Sequence, residues 1–241
     1  MTRIPILVYH QIDTPPPRGT PMRGLVVAPQ TFAWQMRMLA LLGFRGLSMR
    51  DLEPYRRGER AGKVAGITFD DGYRNNLQHA LPVLLRHGFT ASCYAVSGQI
   101  GGSNKWDGPI GVPSKPLMDQ ADLRHWTQAG MEVGAHTRDH LDLTKIDLAA
   151  ARNQIVGCRA DLEDALDAPV HHFCYPYGHY DARHVALVRQ AGYRTATTMR
   201  RGRAAPDADP LRLPRVLVAR STHPGYFFLK LCTAYEDRRA G

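Results

Sequence analysis

The sequence predicts an α/β fold in which parallel strands alternate with helices, forming a sheet or barrel in one domain over residues 1–241. Three observations predict it. Short apolar runs of strand length recur at 4–9, 66–69, 90–96, 131–135, 171–175, 193–198 and 213–218. Amphipathic stretches separate them. Several of these stretches end in glycine with a β-rich run following at once: Leu42-Gly43-Phe44, His87-Gly88-Phe89, Ala129-Gly130-Met131 and Ala191-Gly192-Tyr193. Glycine just past a helix accepts the left-handed cap conformation, so each is a helix-to-strand junction. Seven strands in steady alternation with helices imply right-handed crossovers between parallel neighbours.

The helices are read from spacing. Phe32, Met36, Leu39 and Leu42 keep the helical period, as do Leu77, Leu81, Leu84 and Leu85. Ile155, Leu162 and Leu166 stripe a long helix over 148–166, and Val185, Leu187, Val188 and Ala191 mark another after Tyr180. The Pro-rich segment 14–21 and the Gly/Pro-rich segment 98–116 are loops that follow strands, where parallel α/β folds carry their chemistry. The C-terminal GYFFLKLCTAYEDRRAG is read as a final packing helix, with peripheral membrane contact left open.

Composition narrows the function classes. With 44% hydrophobic and 22% charged residues, the chain is an ordinary globular one and can bury a full core. Lys and Arg outnumber Asp and Glu by 31 to 22, a net +9, which favours anionic partners. The basic residues are scattered, with only short clusters such as Arg200-Arg201-Gly202-Arg203, so a solvated basic surface is expected and nucleic acid is not. Cys93, Cys158, Cys174 and Cys232 have no ligand-like spacing; Cys93 and Cys174 fall in strands as core residues, and no disulfide framework is expected. The apolar run at 4–8 is too short for a signal peptide or a membrane span, which reads as a cytoplasmic protein.

Chemistry-bearing residues gather at strand ends. His10 follows the first run and Asp70-Asp71 the second; His136 and His140 follow 131–135, and YPYG closes 171–175. Parallel strands would bring all of these to one face. Taken as one helical turn, the four-residue spacing of His136 and His140 puts both imidazoles on one side, with Cβ atoms about 5–6 Å apart. Adding one of the two aspartates makes a His₂Asp set that leaves open positions on a metal, and the other aspartate is then free to take a proton. An isolated Asp-Asp pair is ordinarily a turn or helix cap, and an isolated HxxxH a solvated helix face. Both together, each ending a strand, point to a site.

The motifs Thr68-Phe69-Asp70-Asp71-Gly72, His136-Thr137-Arg138-Asp139-His140 and Tyr175-Pro176-Tyr177-Gly178, in this order, resemble the signatures of the polysaccharide deacetylase family, carbohydrate esterase family 4, also called the NodB-homology domain. The resemblance runs from Ile6-Leu7-Val8-Tyr9-His10 to Arg212-Leu213-Pro214-Arg215-Val216 and is closest in style to the exopolysaccharide, poly-N-acetylglucosamine type. It implies a distorted, TIM-like (β/α)7 barrel and a hydrolase of N-acetyl groups on an amino-sugar polymer, oligomer or lipid-linked sugar. It further implies a divalent metal, usually zinc, on Asp71, His136 and His140, with Asp70 as general base toward the metal-bound water. The backbone N–H of Tyr177 would stabilise the oxyanion, and Pro176 and Tyr177 would border the substrate.

Two positions depart from the family pattern. Cys174 stands where many members carry an arginine that orients the catalytic aspartate, and Arg215 is the candidate to replace it. The late histidine that serves as general acid is matched poorly by His223, which leaves His10 as the candidate proton donor or, alternatively, as a structural hydrogen-bonding residue. Trp106 could stack on a sugar face or pack its own loop down. Tyr73 and Arg74 could cap the next helix or touch substrate. Two other functions fit the same residues: an amidohydrolase acting on a cyclic amide or formamide, and a non-catalytic sugar-binding barrel.

Overall fold

The structure, a computed structural model, describes residues 3–239. The expected domain reaches beyond this at both ends, and residues 1, 2, 240 and 241 lie outside the described residues. In chain order the strands are β1 (Ile6–Tyr9), β2 (Gln11–Ile12), β3 (Val26–Val27), β4 (Arg45–Leu47), β5 (Val64–Phe69), β6 (Ser92–Ala95), β7 (Glu132–Ala135), β8 (His172–Cys174), β9 (Thr195–Arg201) and β10 (Leu213–Leu217). Every pairing among them is parallel. The order β1-β10-β9-β8-β7-β6-β5 closes on itself through β1–β5, from Ile6 opposite Gly66 to Tyr9 opposite Phe69. This is the expected distorted seven-stranded barrel.

The eighth strand of the sheet, β4, is absent from the apolar-run reading, although the Leu42-Gly43-Phe44 junction pointed to it. Its sequence, Arg45-Gly46-Leu47, has too few apolar residues to register as a run. It exists because β6 pairs only with Thr68 and Phe69, the last two residues of β5, which leaves Val64, Ala65 and Gly66 to pair with β4. The Thr90 N–H then donates to Gly46 O and ties β4 to the approach of β6. Short β2 and β3 form a separate ribbon beside the barrel mouth.

The helices are α1 (Pro29–Leu41), α2 (Met49–Arg56), α3 (Leu81–Arg86), α4 (Gln120–Gln128), α5 (Leu148–Arg152), α6 (Cys158–Leu166), α7 (Ala182–Gln190) and α8 (Pro224–Cys232). α5 and α6 are one continuous helix with a π-turn at Asn153–Gly157, matching the long helix read from sequence. α2 carries Pro54 and little periodicity, and its start is set by Ser48, whose side chain accepts the Asp51 N–H. α8 is the expected packing helix, with Phe227 and Leu231 buried. No helix among the described residues is long and apolar enough to cross a membrane.

Strand periodicity divides the core into two layers. Leu7, Ile67, Cys93, Val133, Phe173 and Val216 face outward and pack with Phe32, Leu84, Trp126, Ile155 and Val188 of the helices. The alternate residues Ile6, Val64, Tyr94, Cys174 and Leu213 form a smaller cluster inside the barrel. Burying both faces of each strand is what makes these segments read as apolar runs. The four cysteines are free thiols. Arg201 and Arg203 of the basic cluster are paired with Glu236 and Asp237.

Candidate active site and metal centre

A cavity of about 370 Å³ opens at the C-terminal ends of the strands, lined among others by His10, Asp70, Asp71, Trp106, His136, His140 and Tyr177. His10 follows β1, the aspartates follow β5, the histidines follow β7, and Tyr177 follows β8. Parallel strands therefore deliver all of these to one mouth.

Backbone conformation aims them. Among the described residues, six that are not glycine have left-handed φ: Met22, Asp71, Thr137, His140, Asp167 and Tyr177. Four line the cavity, and Thr137 lies between the two histidines. Such conformations cost L-residues about 1–2 kcal/mol each and persist where the surroundings dictate them. Here they correct one expectation. The HxxxH segment is not a helical turn: Thr137 at φ 66° and His140 at φ 55° fold it into an irregular loop. The imidazoles converge nonetheless, with ring centroids 4.9 Å apart. The loop is held from outside. Thr137 and Arg138 carbonyls accept the N–H groups of Ser97 and Gly98, and Gln154 Oε1 accepts those of Arg138 and Asp139 at 3.0 and 2.9 Å. Gln154 Nε2 donates to Asp139 at 2.6 Å, which turns that carboxylate away from the histidines. Gln154 sits in the π-turn of the long helix, a feature common near functional sites.

Asp71 Oδ1 lies 3.5 Å from His136 Nε2 and 3.3 Å from His140 Nε2. The three donor atoms fall within 4.8 Å of one another, and all three residues are buried. The His136 Nδ1 donates to the Cys174 carbonyl at 2.8 Å and points Nε2 toward Asp71; burial alone would lower this imidazole, but Cys174 and Asp71 hold it well above its ordinary range. His140 Nδ1 is 3.2 Å from the Tyr177 hydroxyl, and burial pushes its imidazole below the ordinary range, favouring the neutral form. Burial would raise the Asp71 carboxyl, but hydrogen bonds from both histidines hold it well below its usual value. An anionic oxygen and two imidazole nitrogens, which would give up any proton to a bound metal, form a donor set that fits a divalent cation such as zinc. Asp70, His136 and Cys174 are equally close together. A cation there would meet the Arg215 guanidinium, which excludes that set.

Asp70 stands apart from the triad. Its two oxygens accept Arg215 Nη1 and Nη2, each at 2.7 Å, and both side chains are buried. Burial alone would raise the Asp70 carboxyl; the Arg215 charge and hydrogen bonds outweigh it and keep the group ionised below its usual value. The guanidinium is itself fixed by Thr198 O at 2.9 Å and Thr68 Oγ1 at 3.2 Å. The Thr198 carbonyl is available because β9 bulges: Leu213 pairs with Thr197 but Arg215 with Arg201. Cys174 Sγ is 3.1 Å from Arg215 Nη2, so the thiol lies beside the ion pair as well as in the barrel interior.

The Pro176-Tyr177-Gly178 turn follows β8. Its own hydrogen bonds use the N–H groups of Gly178 and His179, to Tyr175 O and Pro176 O, leaving the Tyr177 N–H out of the turn's bonding. Gly178 is required twice over: its φ is +74°, and a Cβ there would fall 2.6 Å from the Met199 backbone nitrogen. Pro176 is buried within the turn and is not part of the cavity wall.

The remaining expectations divide. His10 lines the cavity, and its Nδ1 is buried without a hydrogen-bond partner. Trp106 lines it too, stacked on His140 at 4.6 Å, so one face of the indole braces a candidate ligand. Tyr73 lines the cavity, whereas Arg74 turns away to Asp122. His223 is outside the cavity wall, at the start of α8. Asp107 and Met199 also line the cavity and were not anticipated. Burial and the neighbouring Asp71 charge push the Asp107 carboxyl up. Its place beside Trp106 in the 98–116 loop was the only signal for it.

Known proteins share this fold and sequence pattern. A poly-β-1,6-N-acetyl-D-glucosamine N-deacetylase of Staphylococcus epidermidis is 23% identical over 208 residues, covering 82% of this chain and 70% of that protein. The crystal structure of BC0361, a polysaccharide deacetylase from Bacillus cereus, superposes with a TM-score of 0.81 at 25% identity, over 95% of this chain and 69% of that one. The Streptococcus pyogenes deacetylase PplD, solved in complex with acetate, shares the fold at 22% identity and a TM-score of 0.82, over 95% and 98% of the two chains. The family model for polysaccharide deacetylases matches residues 57–196, more than half of the chain and both the aspartate and histidine motifs. The chain belongs to the polysaccharide deacetylase family.

Proposed function

We propose that the protein is a metal-dependent N-deacetylase that hydrolyses the acetamido group of an N-acetylated amino-sugar glycan to acetate and a free amine. One observation carries the reading. The Asp71, His136 and His140 donor set faces the same cavity as Asp70, a separate carboxylate kept ionised by Arg215. A sugar-binding barrel has no use for an oriented base beside a donor set. When bound, a divalent cation, with zinc best suited to these ligands, would supply Lewis-acid activation of water and of the amide carbonyl.

The chain's own residues have distinct tasks. A carboxylate has about four lone-pair directions. Arg215 occupies one on each Asp70 oxygen, leaving the cavity side to accept a proton from the attacking water. The Tyr177 N–H donates to the oxygen that becomes anionic, an interaction worth about 3–4 kcal/mol in comparable sites. His10, with its unpartnered Nδ1, delivers the proton that the departing nitrogen needs. Trp106 holds His140 in place, while Met22, Leu25 and Val112 supply apolar wall. The name of the Staphylococcus epidermidis relative supports poly-N-acetylglucosamine as the substrate type.

The test is acetate release from N-acetylglucosamine oligomers by zinc-loaded protein, with chelated protein and Asp70→Asn as controls. Both controls should lose activity by two orders of magnitude or more. Full activity of Asp70→Asn would remove the base from the scheme. Zinc binding without hydrolysis of any acetamido sugar would favour the sugar-binding reading.

A further inference from the structure

Arg215 Nη2 has more acceptors around it than hydrogens to give. A guanidinium Nη carries two N–H groups, and three acceptors surround this one: Asp70 Oδ2 at 2.7 Å, Cys174 Sγ at 3.1 Å and Met199 Sδ at 3.3 Å. The aspartate takes the larger share because an anionic oxygen accepts far better than a thiol or thioether sulfur. That sharing holds only while Met199 remains a thioether. Cys174 is fully buried and belongs to neither cavity wall. Met199, near the end of β9, is half-buried and reached from two sides: it lines the reaction cavity and a second cavity of about 440 Å³. Met36, Met49, Met118 and Met131 are sealed in the core, and Met22, 46% exposed, is not a partner of Arg215.

We propose that Met199 is an oxidation site through which hydrogen peroxide switches the enzyme down, by drawing Arg215 away from Asp70; the effect on turnover rests on the deacetylase reading above. A sulfur lone pair attacks one peroxide oxygen, and the O–O bond breaks as the S–O bond forms. The hydroxyl on sulfur gives its proton to the departing hydroxide, so the products are the sulfoxide and water. Sulfur loses two electrons and peroxide gains them. The new oxygen is a strong acceptor on a flexible side chain. It takes an Nη2 hydrogen, and Asp70 loses one arm of its bidentate hold. The same contact sets the stereochemistry. Arg215 engages one sulfur lone pair, so peroxide meets the other and one sulfoxide epimer dominates. Met22, without that contact, gives both.

The experiment treats zinc-loaded protein with hydrogen peroxide, quenches with catalase, and reads peptide masses and acetate release from N-acetylglucosamine oligomers. Met199 should gain one oxygen before the buried methionines do, and kcat should fall about tenfold with KM and zinc content unchanged. Dithiothreitol, which reverses cysteine oxidation, should not restore activity. One of the two methionine sulfoxide reductases, A or B, should restore it and the other should not. Each variant is checked for a retained thermal transition and compared with its own untreated activity. Met199→Leu should keep most of that activity through the treatment, whereas Met22→Leu should lose it as the wild type does. Met199→Gln, with an amide oxygen in place of the sulfoxide, should be slowed without peroxide. Oxidised Met199 with full activity, equal loss in Met199→Leu, or equal repair by both reductases overturns the switch and leaves the deacetylase reading intact. No acetate from untreated protein defeats that reading alone, and peptide masses with reductase specificity still decide the oxidation site.

Discussion

Arg215 of β10 and Asp70 at the end of β5 face each other across the barrel interior with two parallel N–H···O bonds of 2.7 Å, and their side chains are 1% and 4% exposed. The third motif carries Cys174 where an arginine would reach this aspartate from β8. The guanidinium instead arrives from β10, and Cys174 is small enough to let it pass, with Sγ at 3.1 Å. A bidentate pair fixes the carboxylate in orientation as well as in charge.

Removing this arginine tests both consequences. In Arg215→Met, burial acts on Asp70 without a counter-charge, so its pKa rises and the acid limb of the kcat/KM profile moves to higher pH. The wild-type Asp70 pKa is lowered from 3.8, so the pair's stability contribution is present above that value and lost as pH falls through the folded value. Near neutrality the variant should lose about 3–5 kcal/mol, read by urea denaturation, with the deficit shrinking toward pH 3. An acid limb left in place would show that Arg215 does not set the ionisation of Asp70.

Metal content checks the donor set without reference to activity. Wild-type protein loaded with zinc and dialysed should retain about one ion per chain by plasma emission spectroscopy, whereas Asp71→Ala and His140→Ala should retain almost none. Chelation should lower the thermal midpoint of the wild type alone. At a hundredfold excess of zinc over its dissociation constant, the stabilisation amounts to about 2.7 kcal/mol.

Gln154 provides a test of positioning. It touches neither the cavity nor the donor atoms, yet it accepts the Arg138 and Asp139 N–H groups and holds Asp139 aside. Gln154→Ala should weaken zinc binding about 10–100-fold, in the range seen when outer-shell partners are removed. Competition with a chromophoric chelator measures it. Gln154→Glu keeps an acceptor for the two N–H groups but sets a carboxylate oxygen against Asp139, so it should lose zinc affinity as well, less so below about pH 5 where one carboxylate is protonated.

At the opposite end of the barrel, Glu132 of β7 lies beside Ser92, 3.2 Å from His172 Nε2 and 3.0 Å from the Arg50 N–H. Burial pushes the Glu132 carboxyl up from 4.5 to about 7. A raised folded value means that its stabilising contribution is present below 4.5 and lost as pH climbs through 7. His172, pushed down to about 3 by burial, acts in the other direction, losing its contribution as pH falls below 6.5. Glu132→Gln removes the first effect. Its thermal midpoint should fall less than that of the wild type between pH 5 and pH 8.

Local pattern alone determined much of this protein. The seven barrel strands, the helices over 148–166 and after Tyr180, and the gathering of His10, Asp70, Asp71, His136, His140 and Tyr177 at one mouth follow from apolar periodicity and from the rule that parallel strands present their C-terminal ends together. Burial on both faces makes such strands legible one at a time. Tertiary structure decided the rest. β4 exists because β5 is longer than the stretch β6 covers, a fact of register. The histidines converge through left-handed backbone rather than a helical turn, because Gln154 and the carbonyl pairing with Ser97 and Gly98 impose that loop. Arg215 meets Asp70 across a separation of 145 residues, through barrel closure and a bulge in β9. Asp107 reaches the cavity the same way, from a loop brought to the rim. Contacts of this kind depend on closure and register, which no stretch of neighbouring residues encodes by itself.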